Sequence, residues 1–272
     1  MNRMLRLVLF VLLPWFISTD PPIEEKCSIE NNSFKKNEKL VYKIYYNWKM
    51  IWIPAGEVTF TVSETAEYFE YVAKGITYPS YDSFFKVRDH YSSKVDKNSM
   101  YPVSFLRKVQ EGNYYRYDSI IFDQNSKKAI SYWGTKAEDA EKSEYALDEC
   151  MQDMLSILYY VRNYNTSQFS EGEAIPIKVF FDKRTFPLKV QFEGKEENKK
   201  IKNLGKFKTL KFSPEVVSGY VFRDNTNMSL WVSDDKNKIP LLIESPISVG
   251  SIKAVLKSHE NLRYPFDAAI TK

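Results

Sequence analysis

Val58-Thr59-Phe60-Thr61-Val62-Ser63 alternates apolar and polar side chains at every step. A strand points successive side chains to opposite faces, so Val58, Phe60 and Val62 would face a core and the intervening residues water. The same period recurs along the chain. Tyr42, Ile44, Tyr46 and Trp48 share one face, with Lys43 and Asn47 on the other. Leu188, Val190 and Phe192 alternate with Lys189, Gln191 and Glu193, and Ile252, Ala254 and Leu256 alternate with Ser251, Lys253 and Lys257. Half-buried strands of this kind belong to an antiparallel sheet. Further strands are expected near 67–76, 87–96, 102–111, 114–123, 127–133, 175–182, 205–213, 227–233 and 239–245.

Turn residues separate these runs at hairpin spacing: Asp96-Lys97-Asn98-Ser99, Glu111-Gly112-Asn113, Asp123-Gln124-Asn125 and Asp234-Asp235-Lys236-Asn237. Helical crossovers between successive strands are missing, which argues against a parallel α/β fold. The run Glu193–Lys202 mixes charges of both signs and reads as a solvated turn. A short helix fits Tyr81–Lys86.

One segment breaks the period. Met151, Met154, Leu155, Leu158 and Val161 recur at spacings of three and four, the stripe of an amphipathic helix over about 149–163. Asp148 is the expected N-cap, Glu149 and Asp153 suit the N-terminal dipole, and Arg162 suits the C-terminal end. The expected fold is therefore mainly β: a large curved antiparallel sheet or open barrel, with this helix packed on its concave face.

The ends of the chain carry different information. Arg3 and Arg6 precede an apolar run from Leu7 to Ile17, and Ser18-Thr19 follows, so residues 1–19 read as a secretory signal peptide. The run is far below the roughly 20 residues of a membrane span, and no second segment is long enough. Residues 20–37, with Pro21-Pro22 and Asn31-Asn32-Ser33, read as an N-terminal arm. Residues 38–272 read as one mainly-β domain, which a sheet this long can split into two lobes around the helix. The expected location is the periplasm or cell envelope of a Gram-negative bacterium. The residues before Cys27 are Glu24-Glu25-Lys26, not the small apolar residues of a lipoprotein signal.

Composition narrows the function classes. Aromatic residues make up 15% of the chain, which favours strands and cross-strand ring packing. The formal charge is +4, and removal of Arg3 and Arg6 brings the mature chain closer to neutral. That leaves no basis for a nucleic-acid partner, which needs a concentrated basic face.

Candidate chemistry is sparse. Cys27 and Cys150 permit one disulfide in an oxidising compartment, with two separate buried thiols as the alternative. Trp48, Met50, Ile51, Trp52 and Ile53 form an unusually apolar connection between strands, either a ligand, membrane or partner patch or a hairpin that folds back to close the core. Trp48, Trp52 and Ile53, with Trp133 and Trp231, are the candidate contact residues. Asp234 and Asp235 beside Asn237 lack the spacing of a calcium loop and read as a hydrogen-bonded turn. His90 and His259 lack the companions a zinc site needs, so no metal and no cofactor is expected. A nucleophilic pair of Cys150 and His90 is the remaining covalent chemistry, and it ranks below a disulfide or an inert thiol. Gly56 reads as a bulge or close-approach glycine.

Several segments together resemble one family. They are Glu38-Lys39-Leu40-Val41-Tyr42, Ile53-Pro54-Ala55-Gly56-Glu57-Val58, the helix around Asp153–Arg162, Leu230-Trp231-Val232-Ser233-Asp234-Asp235 through Ile239-Pro240, and Val249-Gly250-Ser251-Ile252. In this order they resemble the domain-of-unknown-function 3108 family of exported bacterial proteins, common in Bacteroidetes and proteobacteria. The resemblance implies a mostly-β fold, in general plan similar to the periplasmic lipoprotein carriers, and transfers no functional residues. The expected role is non-catalytic binding of an amphiphilic ligand, a polymer or an envelope partner on the concave side of the sheet. The alternatives are an envelope glycan or peptide hydrolase and a structural assembly factor using an exposed strand edge.

Overall fold

A computed structural model describes residues 28–48, 51–215, 228–247 and 250–270. Fourteen strands form a single antiparallel sheet. The first eight are β1 (Lys39–Trp48), β2 (Ile51–Glu64), β3 (Tyr68–Thr77), β4 (Arg88–Asp96), β5 (Pro102–Glu111), β6 (Tyr114–Asp123), β7 (Lys128–Gly134) and β8 (Glu141–Ala146). The remaining six are β9 (Ala174–Phe181), β10 (Arg184–Ile201), β11 (Gly205–Pro214), β12 (Ser229–Ser233), β13 (Pro240–Pro246) and β14 (Ser251–Glu260). Their order is β8-β7-β6-β5-β4-β3-β2-β1-β14-β13-β12-β11-β10-β9. Two meanders thus meet where β1 pairs with β14, and the sheet is curved but not closed.

Two short helices, α1 (Pro79–Asp82) and α2 (Ser156–Tyr160), interrupt the strands. The expected helix at about 149–163 is corrected to α2 and a following single turn over Val161–Asn163. Residues before α2 are extended because they have other partners. Gln152 donates its backbone N–H to the Lys178 carbonyl and accepts from the Phe180 N–H, covering the edge of β9. Asp153, not Asp148, supplies the capping oxygen: Oδ1 accepts from the N–H groups of Leu155 and Ser156 at 2.7 and 2.8 Å. Met151, Leu155 and Tyr159 still meet the concave face, where they pack with Tyr71, Phe105 and Ile120 in the largest core cluster.

The charge run 193–202 is also corrected. It continues β10 to Ile201, paired with β11 through two register shifts, at Phe192/Gly194 and Glu196/Lys199. Strand formation here uses long stems as cover: the Lys199 ammonium lies 3.7 Å from the Trp231 ring centroid, and Glu196 accepts from the Trp231 indole N–H at 2.8 Å. β8, short and polar, lies outside the expected strands. The short helix expected at Tyr81–Lys86 is corrected to α1, which begins at Pro79 and ends at Asp82, leaving residues 83–86 non-helical.

Strict antiparallel alternation gives the sheet two unlike ends. The N-terminal arm, the β2–β3, β4–β5, β6–β7, β10–β11 and β12–β13 turns, the α2 segment and the C-terminal tail gather at one end. Phe34 of the arm and Ala268 of the tail are fully buried there, and Lys208 donates to the Ala268 carbonyl. The β1–β2, β3–β4, β5–β6, β7–β8 and β9–β10 connections gather at the opposite, open end, which carries α1 in the β3–β4 connection and, among the described residues, neither the arm nor the α2 segment.

Gly56 is both a bulge and a close-approach residue. The register of β1 against β2 shifts there, leaving Ala55 unpaired with β1, and a Cβ on Gly56 would lie 2.2 Å from the Ile76 carbonyl oxygen. The next residue, Glu57, accepts from Lys257 at 2.7 Å and from the Tyr78 hydroxyl at 2.9 Å.

Candidate functional site

Nine large apolar side chains are well exposed among the described residues, and seven of them sit at the open end: Ile51, Trp52, Ile76, Phe84, Phe85, Tyr114 and Tyr115. Only Ile121 and Leu158 lie elsewhere. Exposed apolar residues scattered singly need no explanation, but gathered at one end they mark an interaction surface. The local structure holds them outward. Asp82 is paired with Arg88 and accepts from the Thr77 hydroxyl at 2.8 Å, which fixes the connection carrying Phe84 and Phe85. Hydrogen bonds from Arg88, then Thr77, hold the Asp82 carboxyl below its ordinary range.

Beneath this rim, the concave face turns from apolar to ionisable. Cross-strand pairing aligns Tyr91, Arg107, Asp118 and Trp133 in one row across β4–β7. Arg107 donates to buried Asp118 at 3.3 Å and is also paired with Asp182 from the β9–β10 turn. Trp133 is clasped by guanidinium groups: Arg116 lies 4.2 Å and Arg107 5.4 Å from its ring centroid. Burial pushes Asp118 up to about 6. Asp89 rises to about 7 through burial and the neighbouring Glu111 carboxyl, which burial also raises.

The other candidate residues fall into different surroundings. Trp52 is on the rim, with the Lys253 ammonium 4.2 Å from its ring centroid. Ile53 is half-buried in β2, and Trp231 is buried in the core of the other meander. Trp48 ends β1, but its side chain is outside the described residues, as are Met50 and Cys27. Cys150 is buried and is not a free thiol. That removes the Cys150–His90 nucleophile, and His90 stands across from Lys74 and Lys108. Burial, then those two lysines, lowers the His90 pKa. Asp235 accepts from Ser233, Asn237 and Lys238 within its own turn. No cluster of metal-ligating side chains occurs among the described residues.

The Asp89–Arg107–Glu111–Asp118 group was not among the sequence candidates. Its signal was present as ionisable residues at inward positions of β4–β6, where alternation calls for apolar ones. No helix among the described residues is long and apolar enough to cross a membrane.

The span from β1 to β14 coincides with a known sequence family: the model described as "Protein of unknown function (DUF3108)" matches residues 41–257. The chain belongs to the DUF3108 family. Two of the segments that carry the resemblance have structural work in this chain: Pro54-Ala55-Gly56-Glu57 forms the bulge, and the turn after Trp231 anchors the tail. In that turn, Asn237 donates to the carbonyls of Tyr264 and Pro265. No curated protein matches the chain. Among solved structures, it is similar to a β-barrel-like protein of domain of unknown function DUF1849 from Brucella abortus. The TM-score is 0.57 at 9% identity, covering 86% of this chain and 100% of that one. This likeness concerns the fold alone. A weaker one, TM-score 0.36 at 8% identity, covers 88% of this chain and 93% of the hypothetical protein CT021 from Chlamydia trachomatis.

Proposed function

We propose that this DUF3108 protein is exported to the bacterial cell envelope and acts there as a non-catalytic binding protein, through the open end of its sheet. The observation that carries the reading is the segregation of exposed apolar side chains to that end. Residues 1–19, read as a signal peptide, support export. The concave face is filled by Met151, Leu155 and Tyr159, so an amphiphilic ligand or envelope partner is taken at the rim and not in the interior. The free edge of β8 carries Glu141, Lys142 and Glu144, charges that discourage strand addition and weigh against an assembly role through that edge.

A photo-crosslinking residue placed at Phe84, and separately at Leu158, tests this in intact cells. A defined adduct from position 84 alone is the expected result. Adducts from position 158 alone, or from neither, would overturn the reading.

A second reading, hydrolysis of an envelope glycan or peptide, is favoured by one observation. Asp89 and Glu111 are hydrogen-bonded carboxyls near the open end, and Asp89 holds its proton up to about pH 7, as a general acid must. Release of soluble fragments from purified cell wall by the protein, abolished by Asp89→Asn, would decide for it.

A further inference from the structure

We propose that the open end docks on a membrane surface bearing anionic headgroups. This rests on the reading that the open end is the binding surface, and it names the occupant. Phe84 and Phe85 are joined to the β5–β6 turn and are not isolated tips. The Gly112 N–H donates to the Lys86 carbonyl at 2.8 Å, which ties the β5–β6 turn to the β3–β4 connection. The Phe85 ring covers that turn so closely that a Cβ on Gly112 would lie 3.2 Å from it. Phe84 is 90% exposed beside it, with Tyr114 and Tyr115 following in the same turn.

Cations are interleaved with these rings. Lys86 follows Phe85, Arg116 follows Tyr115, and Lys136 lies in the adjacent β7–β8 connection. None of the three forms a salt bridge among the described residues, although Arg88 in the same region does. A shallow depression between them is lined by Asn113, Tyr114, Tyr115, Arg116, Thr135 and Lys136. Two cations with hydroxyl and amide donors match the chemistry of a headgroup phosphate diester. Arg116 also donates to the Tyr114 hydroxyl at 3.1 Å and lies on Trp133, so its charge is held in place but not neutralised. Aromatic rings at headgroup level with Lys and Arg beside them are the general pattern of an interfacial contact, and cations without a carboxylate partner favour an anionic leaflet. The apolar and cationic parts of the patch therefore point to the same partner.

Sedimentation with vesicles tests the proposal, using phosphatidylcholine alone and phosphatidylcholine mixed with phosphatidylglycerol. The protein recovered from cells is compared with Phe84→Ser/Phe85→Ser, Lys86→Glu/Lys136→Glu and, as a control on β6 away from the rim, Ile121→Ser. Melting curves check that each variant folds. Binding should favour the phosphatidylglycerol vesicles and weaken with salt. Each rim variant should bind about tenfold more weakly or worse, and the control like the parent. Equal sedimentation of all four, or none by the parent, would overturn the lipid proposal. A protein adduct at position 84 in cells without vesicle binding overturns the lipid assignment and leaves the binding reading standing. No adduct and no vesicle binding overturns both.

Discussion

Arg162 and Glu38 form a two-pronged ion pair in the closed end of the sheet, at 2.7 and 2.9 Å, with both side chains buried. The pair joins the end of the helical segment to the start of β1. Arg162 also donates to the carbonyls of Asn237 and Ser33, and Ser33 donates back to the Arg162 carbonyl at 2.5 Å. Three stretches far apart in sequence, around residues 33–38, 162 and 237, are thus held at one point.

Removing one partner leaves the other charge buried and unpaired. Arg162→Ala is expected to cost about 3–5 kcal/mol in urea unfolding. The double replacement Glu38→Leu/Arg162→Met should cost less than Arg162→Ala, because no charge is stranded. Equal losses from both would show that the pair does not dominate this junction.

Gly56 sets a steric test. Its missing Cβ makes room for the Ile76 carbonyl, so Gly56→Ala forces the β2–β3 ladder apart. A loss of about 1–3 kcal/mol is expected in equilibrium unfolding. An unchanged midpoint would mean that the bulge relaxes freely.

Asp89 gives a pH test whose sign is fixed. Its folded pKa of about 7 lies above the ordinary carboxylate value, so the folded state holds the proton more tightly than the unfolded chain. Its contribution is fully present below about pH 4 and is lost as pH rises toward and through 7. Asp89→Asn cannot ionise, so its stability relative to the parent should increase between pH 5 and pH 8. After allowance for solvent screening, the gain is on the order of 1 kcal/mol. A constant difference between parent and variant across that range would contradict the assignment.

The cysteine expectation is open to direct chemistry. A Cys27–Cys150 bridge is proposed, since Cys150 is not a free thiol and Cys27 is the chain's other cysteine. Alkylation followed by mass measurement should label both residues only after reduction. Reduction should lower stability by about 4 kcal/mol on the chain-entropy argument. Labelling of either residue without reductant would dismiss the bridge.

Much of the fold is legible in the sequence because the strands obey two local rules. Alternation places Val62, Tyr71, Phe105 and Ile120 inward, and turn residues such as Asp96 and Gly112 end their strands. Asp96 accepts from the N–H groups of Asn98 and Ser99. The failures have tertiary causes. The stripe of Met151 and Leu155 is buried as expected, yet Gln152 between them pairs with β9 instead of continuing a helix. Lys199 reads as solvated, but the strand places it on Trp231. At the candidate site, Trp52 and the apolar run around it are visible early as an interaction patch. Phe84, Tyr115 and the Asp89–Glu111 pair become a site only through the meander. Its alternation stacks every second connection at one end of the sheet, a relationship that no local window contains.

Hydroxyl-radical footprinting of the protein in its native envelope, compared with the purified protein, tests the central claim most directly. Phe84, Phe85, Tyr114 and Tyr115 should be protected in the envelope, while Ile121 and Leu158 react equally in both states. Equal oxidation of the four rim residues in both states, or protection confined to Ile121 and Leu158, would contradict the assignment of the open end as the binding surface.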